Sequence, residues 1–145
     1  MPTSEHPDGL TQMHVLLSCA GRQVPLVKAF AETLNGRGAV YAADANRCAP
    51  ALAAADRSLV SPGFTSPEYA DWCLSVCNEH KIGMWLSLLE DDLAVLQPLG
   101  ERLNQSGCLL VGASPDIIRV VRDKCTYADH LKAYGIPVPD TRTLA

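Results

Sequence analysis

Three short polar segments, each directly after an apolar run, carry the residue types best suited to chemistry. They are residues 18–22, 44–46 and 87–92. In an open parallel sheet, ligands bind beyond the carboxyl ends of the strands, where the strand order reverses. We therefore expect these segments to lie at one edge of a sheet and to bind a small molecule. The candidate substrate-binding residues are Gly21, Arg22, Asp44 and Glu90.

The first segment is rich in small residues and opens a helix. Its backbone N–H groups could meet an anion at the positive end of the helix dipole, and Arg22 could add a bidentate contact. It holds one glycine, Gly21, rather than the three of a dinucleotide-binding fingerprint. A tight strand-to-helix turn explains Gly21 equally well, so both interpretations stand.

The other two segments supply carboxylates. Asp44 occupies the position at which a Rossmann domain has its ribose-binding acidic residue, but it could equally cap the loop around Asn46. For Asp91 and Asp92 we favour simple complementation of a helix dipole. Glu90 is nearest the strand end and is the better candidate to face a ligand amine.

An arginine with two carboxylates in one crevice would suit a small zwitterion such as an amino acid. Arg22 would take the carboxylate of the ligand, and Asp44 and Glu90 would take its amine. The alternative is that Arg22 pairs with Asp44 or Glu90 and binds nothing.

The remaining chemistry-bearing residues form no recognisable catalytic set. The four histidines do not cluster, no P-loop pattern is present, and no pair of cysteines has zinc-knuckle spacing. Cys73 and Cys77 would share a helix face, either as a metal or redox pair or, as we favour, as small apolar side chains. We expect no metal site.

Composition excludes several classes of protein. The formal charge is −4 with no basic tract, which argues against nucleic-acid binding. No apolar run approaches the roughly 20 residues that span a bilayer. Residues 1–12 are polar and lack the pattern of a signal peptide, so we expect a flexible tail and a cytoplasmic protein with free thiols.

Short apolar runs alternate with amphipathic segments, which predicts an α/β fold. Five strands should form one parallel sheet in the order 3-2-1-4-5, with helices on both faces. Pro98 should split the helical stretch 91–105, and Ser66 should cap a helix whose first residue is Pro67. The predicted strands are 14–18, 40–43, 59–60, 82–88 and 108–111. Four of the predicted helices cover residues 23–35, 49–55, 91–105 and 126–134. Another runs from Pro67 through Cys77. A sixth is opened by residues 114–116 and directs Ile117, Ile118 and Val121 inward.

In order and spacing, these segments resemble the carbamoyl-phosphate-synthase-like ATP-grasp family, over residues 13–145. The resemblance rests on residues 18–22 with the following helix, 40–46, 50–52, 55–57, 59–62, 114–124, Leu131 and 135–141. It implies a three-layer, Rossmann-like pre-ATP-grasp domain at 13–122. Residues 123–145 would then be a helix and hinge leading into an ATP-grasp domain that the sequence does not contain.

The resemblance also implies a function. Such ligases activate a carboxylate as an acyl phosphate, which an amine or similar nucleophile attacks. By position, Lys124 matches a basic residue that contacts nucleotide in relatives such as biotin carboxylase, although a solvated lysine at a helix start is the alternative. ATP and Mg²⁺ would serve the full-length enzyme, and neither should bind this chain tightly.

The implied partners are a small-molecule substrate and the ATP-grasp domain, with no nucleic acid or membrane, and a homodimer stays open. The sequence does not go on to contain the glycine-rich loop, the further lysines and the Mg²⁺ ligands of an ATP-grasp domain. We therefore expect the chain alone to be inactive. It is therefore either part of a longer protein or an unusually short one. The competing interpretation is a stand-alone Rossmann-like module, non-catalytic or nucleotide-binding.

Overall fold

The computed structural model describes residues 12–142, which form two compact units that divide between Gly112 and Ala113. The first unit is built on a five-stranded sheet in which every neighbouring pair is parallel. The strands are β1 (His14–Ser18), β2 (Val40–Asp44), β3 (Arg57–Val60), β4 (Ile82–Ser87) and β5 (Leu109–Val111). Their order in the sheet is β3-β2-β1-β4-β5, which confirms the predicted α/β topology.

Helices cover both faces of this sheet and bury two apolar clusters. The helices are α1 (Val24–Leu34), α2 (Pro50–Ala54), α3 (Tyr69–His80), α4 (Glu90–Leu96) and α5 (Gly100–Gln105). One cluster lies under α1 and α2 and includes Val15, Leu17 and Val27. The other lies under α3, α4 and α5 and includes Leu16 and Trp85. Consecutive strand residues thus enter opposite clusters, as the period of two along a strand requires.

Pro98 divides the fourth helical stretch, as predicted. A 3₁₀ turn at Gln97–Leu99 separates α4 from α5. Because proline donates no hydrogen bond and its ring clashes with the preceding turn, the α-helical ladder cannot pass through this position.

The start of α3 was predicted wrongly. The helix begins at Tyr69, and Ser66 belongs to the turns before it. The Ser66 hydroxyl accepts the Glu68 N–H at 3.3 Å, and the Ser66 carbonyl accepts the Tyr69 N–H at 3.1 Å. The serine therefore organises a turn, a competing use of the same hydrogen-bonding groups.

The inner face of α3 carries the two cysteines spaced four residues apart. Cys73 and Cys77 are 0% and 1% exposed and lie in the apolar cluster beside Trp85. They fill the core as small apolar side chains, as we favoured. Among residues 12–142, no group of three or more His, Cys, Asp or Glu side chains is placed to hold a metal ion.

The second unit is a helix pair, α6 (Pro115–Arg122) and α7 (Lys124–Ala133). Residues 114–116 open α6 as predicted, and the Ser114 hydroxyl caps the helix by accepting the Ile117 N–H. Of its predicted inward residues, Ile118 is buried, whereas Ile117 is 43% exposed, so that part was wrong. The Asp123 carboxylate accepts the Thr126 N–H at 2.7 Å and starts α7 two residues earlier than predicted.

The predicted domain limits, 13–122 and 123–145, concern the whole protein and stay a prediction. The predicted tail, residues 1–12, lies outside the described residues except for Gln12. No helix within residues 12–142 is long and apolar enough to cross a bilayer.

Candidate functional site

A cleft of about 340 Å³ opens at the carboxyl edge of the sheet in the first unit. Four strands contribute to it through the residues that follow or end them, and α3 contributes its first residue. The lining is Cys19 after β1, Asp44 and Ala45 at the end of β2, residues 61–65 after β3, Leu88 and Leu89 after β4, and Tyr69 of α3. The cleft thus lies where the fold class places ligands.

The loop after β1 is fastened to the end of β2. Gly21 has a φ of 49° and donates its N–H to Asp44 Oδ2 at 2.7 Å. Cys19 also has a positive φ, 51°, which a non-glycine residue rarely adopts. Two left-handed residues in three positions turn the chain sharply from strand to helix.

The N–H groups of this loop are largely engaged within the protein. Those of Ala20, Gln23 and Val24 donate to backbone carbonyls at 2.8–3.1 Å, and that of Gly21 donates to Asp44. Four donors that an anion would need are therefore occupied. This favours the interpretation of Gly21 as a residue of a tight turn.

Asp44 contributes both to a loop and to the cleft. Its Oδ1 accepts the Asn46 N–H at 2.8 Å, so it caps the loop around Asn46, which is one of the two interpretations given above, and the residue also lines the cleft. A carboxylate offers about four lone-pair sites. With two backbone N–H groups bound, Asp44 keeps acceptor capacity for a ligand.

Of the four predicted substrate residues, only Asp44 lines the cleft, and Gly21, Arg22 and Glu90 do not. Arg22 is exposed directly after Gly21, and Glu90 is exposed as the first residue of α4. Among the described residues, Arg22 forms no ion pair, so it does not pair with Asp44 or Glu90. The structure thus joins Gly21 to Asp44 and leaves Arg22 and Glu90 on the surface.

Lys124, the predicted nucleotide contact, belongs to the second unit. It is exposed and is the first residue of α7, directly after the capping Asp123.

The main polar residue that sequence reasoning misplaced is Asp92. It lies in the first turn of α4, as predicted, but its side chain is 0% exposed. Its carboxyl accepts hydrogen bonds from the hydroxyls of Ser18 at 2.6 Å and Tyr69 at 2.6 Å, and Ser87 Oγ lies 2.8 Å away. Dipole complementation at the surface is therefore not its main role.

A signal for this network was present in the sequence. Ser18 and Ser87 end two apolar runs, and the sheet register places them side by side. Trp85 Nε1 donates to Ser18 Oγ at 2.8 Å, which joins the indole to the same group. Polar residues at paired ends of neighbouring apolar strands need a buried partner, and Asp92 provides it.

The groups around Asp92 are held protonated. Burial raises the pKa of the Cys19 thiol to about 12, and the nearby carboxyls of Asp92 and Asp44 contribute. Burial, followed by the charge of Asp92, also raises the pKa of Tyr69. At neutral pH both side chains are therefore neutral hydrogen-bond donors, and Cys19 is a poor nucleophile.

The charge of the cleft follows from these contacts. Asp44 is the only acidic or basic side chain among the described residues that line it. Such a lining suits a ligand group that donates hydrogen bonds or carries positive charge, and it is poorly suited to a phosphate.

Comparison with known proteins gives a consistent picture. A family model described as PylC-like, N-terminal domain, matches residues 15–111. No curated protein matched the chain.

Several solved structures share the fold. The L-amino acid ligase from Bacillus licheniformis aligns with 92% of this chain at 21% identity and a TM-score of 0.63. The N5-carboxyaminoimidazole ribonucleotide synthetase from Thermotoga maritima aligns with 90% at 22% identity and a TM-score of 0.57. A glycinamide-RNase-transformylase T from Mycobacterium tuberculosis aligns with 87% at 20% identity and a TM-score of 0.57.

The chain spans about a third of the length of these proteins, namely 35%, 33% and 36%. At these identities the likeness concerns the fold. The predicted resemblance is confirmed by the family match, which is to an N-terminal domain and spans residues 15–111, and the solved structures share the predicted fold.

Proposed function

Because the chain belongs to the PylC-like N-terminal domain family, we propose that it is the N-terminal, substrate-binding domain of an ATP-grasp ligase. In the proposed reaction a carboxylate is activated as an acyl phosphate, and an amine or similar nucleophile attacks it. The observation that carries the proposal is the family match, which spans β2 to β5 and all but the first residue of β1.

We propose that the cleft binds the non-nucleotide substrate, a small zwitterion such as an amino acid. The substrate amine would meet Asp44, which lines the cleft and keeps free acceptor capacity. Arg22 follows Gly21, which is itself bonded to Asp44, and its exposed guanidinium is available to a substrate carboxylate. Glu90, exposed at the start of α4, would be the second acid.

The described residues of the cleft do not fit the phosphates of ATP. Four loop N–H groups are engaged, and the lining has no basic side chain. Nucleotide and Mg²⁺ would instead be held by an ATP-grasp domain of the complete protein, with Lys124 as a contact from this chain.

The test is a kinetic assay of the complete protein that contains this domain. With ATP and Mg²⁺, ADP formation should depend on both a carboxylate substrate and a nucleophile. The Arg22→Ala variant should mainly raise the apparent KM for the zwitterionic substrate, because the lost contact would stabilise the bound substrate and the transition state equally.

Lys28→Ala, a change at an exposed basic residue of α1, is the matched control. Absence of ADP formation with any pair of substrates would contradict the ligase proposal. Kinetics of Arg22→Ala equal to those of Lys28→Ala would remove Arg22 from the site.

A further inference from the structure

The cleft at the carboxyl edge of the sheet offers a ligand apolar surface as well as polar groups. Pro62 and Phe64 come from the loop after β3, and Leu88 and Leu89 come from the segment between β4 and α4. All four residues are half-buried, so the protein leaves part of each accessible. Apolar side chains inside a concave site supply most of the contact area of a small-molecule site.

These apolar residues are held in place by the fold. Phe64 packs against the apolar cluster under α3, α4 and α5, and Leu88 packs against the cluster under α1 and α2. The Leu88 N–H donates to the Ser18 carbonyl at 3.1 Å, and the Leu89 carbonyl accepts the Leu93 N–H at 3.0 Å. The apolar part of the cleft is therefore formed before any ligand arrives.

The polar groups of the cleft can satisfy the two charges of an amino acid and no more. Asp44 is the one charged side chain among the described residues of the lining. Ser61 and Thr65 also line the cleft, and their hydroxyls form no hydrogen bond with the residues that the structure describes. A hydroxyl donates as well as accepts, so these groups can meet an amine and a carboxylate. A charge on the side chain of the ligand would find no partner in this lining.

The volume of the cleft sets an upper limit on the ligand. About 340 Å³ lies at the lower end of the roughly 300–1,000 Å³ that small-molecule sites occupy. A single amino acid fits this scale, and its side chain would have to lie against the apolar residues of the lining.

We propose that Pro62, Phe64, Leu88 and Leu89 form an apolar subsite, and that the cleft selects an amino acid with an apolar side chain of about the length of norleucine. The inference rests on the proposed function, because it specifies the substrate of the same cleft. Phe64 and Leu89, one from each contributing segment, are the specificity-determining residues.

The test uses a homologous series of probes on the complete protein that contains this domain. L-alanine, L-2-aminobutyrate, L-norvaline and L-norleucine differ by one methylene at each step, and ligand-observed NMR titration gives each dissociation constant. Burial of one methylene should tighten binding about fourfold, so L-norleucine should bind about sixtyfold more tightly than L-alanine. L-glutamate should bind more weakly than L-norleucine, because its second carboxylate meets no cationic side chain in the described lining.

Two variants assign the methylene effect to the subsite. Phe64→Ala and Leu89→Ala should each weaken L-norleucine binding roughly tenfold, while L-alanine, which has one methyl group to bury, should change little. Val60→Ala, at a 52% exposed residue directly before the loop, is the control for the first variant. Leu109→Ala, at a 60% exposed leucine of β5, is the control for the second.

A circular dichroism spectrum equal to that of wild type shows that each variant is folded. Because Phe64 packs against the core and Leu89 lies at the start of a helix, the two variants are independent, and one folded variant is sufficient. Dissociation constants for L-norleucine that match those of the control variants would overturn the assignment to this cleft.

The remaining outcomes separate the inference from the function on which it rests. Equal dissociation constants along the series would keep an amino acid as the substrate and overturn the apolar subsite, as would L-glutamate binding as tightly as L-norleucine. Binding of none of the probes would contradict the proposed substrate together with the subsite. ADP formation, measured separately, decides the ligase reaction itself.

Discussion

Replacing Asp92 with alanine should destabilise the first unit more than any surface change in α4. Ser18 and Tyr69 are each 1% exposed, and the substitution leaves their hydroxyls without the acceptor that lies at 2.6 Å. A buried donor left unsatisfied costs about 1–3 kcal/mol. Two such donors give an expected loss of about 2–6 kcal/mol, a large part of the 5–15 kcal/mol typical of a domain.

The assay is urea unfolding followed by tryptophan fluorescence. Both tryptophans of the chain, Trp72 and Trp85, lie in the first unit, so the signal reports that unit. The midpoint should fall while the slope with urea stays constant, because the buried surface is nearly the same. Asp91→Ala, at the exposed neighbour of Asp92, is the matched control and should cost less than about 1 kcal/mol.

The reasoning would be refuted by an Asp92→Ala protein within 1 kcal/mol, as a rough limit, of Asp91→Ala. That result would mean that water enters and satisfies Ser18 and Tyr69 at little cost, and that the network does not hold the loops. A changed slope would instead indicate that the native state had loosened.

Three further outcomes are expected. The pure 145-residue chain, given ATP and Mg²⁺, should release no phosphate above a buffer control, and clear release would contradict the assignment of phosphate chemistry to another domain. Gly38→Ala should cost about 1–3 kcal/mol or more, because its Cβ would lie 1.8 Å from the Met13 carbonyl oxygen; unchanged urea stability would show that this close approach relaxes freely. Wild-type Cys19 should alkylate far more slowly than Cys48 at pH 8 and accelerate as the pH rises towards its pKa of about 12; equal rates at pH 8 would contradict the burial of the thiol.

The sheet could be predicted from the sequence because its determinants are local. Each apolar run was short enough for a strand and was followed by an amphipathic segment, and this alternation permits few topologies. Pro98 was equally local, since the chemistry of proline alone ends a helix. The observed order, β3-β2-β1-β4-β5, therefore agrees with the prediction.

The start of α3 could not be predicted in the same way. Ser66 and Pro67 are typical of a helix start, but they also suit turns. The chain uses them in turns after residues 61–65, which line the cleft. The choice between two locally acceptable structures depended on tertiary packing.

The position of the cleft was predictable, whereas the state of its polar groups was not. Parallel strands end at one edge, so the polar segments after β1, β2 and β4 had to meet there. The partners of Asp92 lie 74 and 23 residues away, at Ser18 and Tyr69. Nothing in the sequence near Asp92 distinguishes it from the exposed Glu90 and Asp91. Its burial depends on how the loops and helices pack at the carboxyl edge of the sheet.

The packing at the carboxyl edge of the sheet also determines the electrostatic character of the cleft. Asp92 and Asp44 both raise the pKa of Cys19, which places that thiol within the field of two carboxyls from different elements. Asp44 is held by two backbone N–H groups and Asp92 by side-chain hydroxyls, so neither carboxyl needs to move when a ligand arrives. Acceptors already held in place reduce the ordering that a ligand would otherwise have to impose. A cationic group entering the cleft would therefore meet fixed negative charge, and an anionic group would meet the same charge as repulsion.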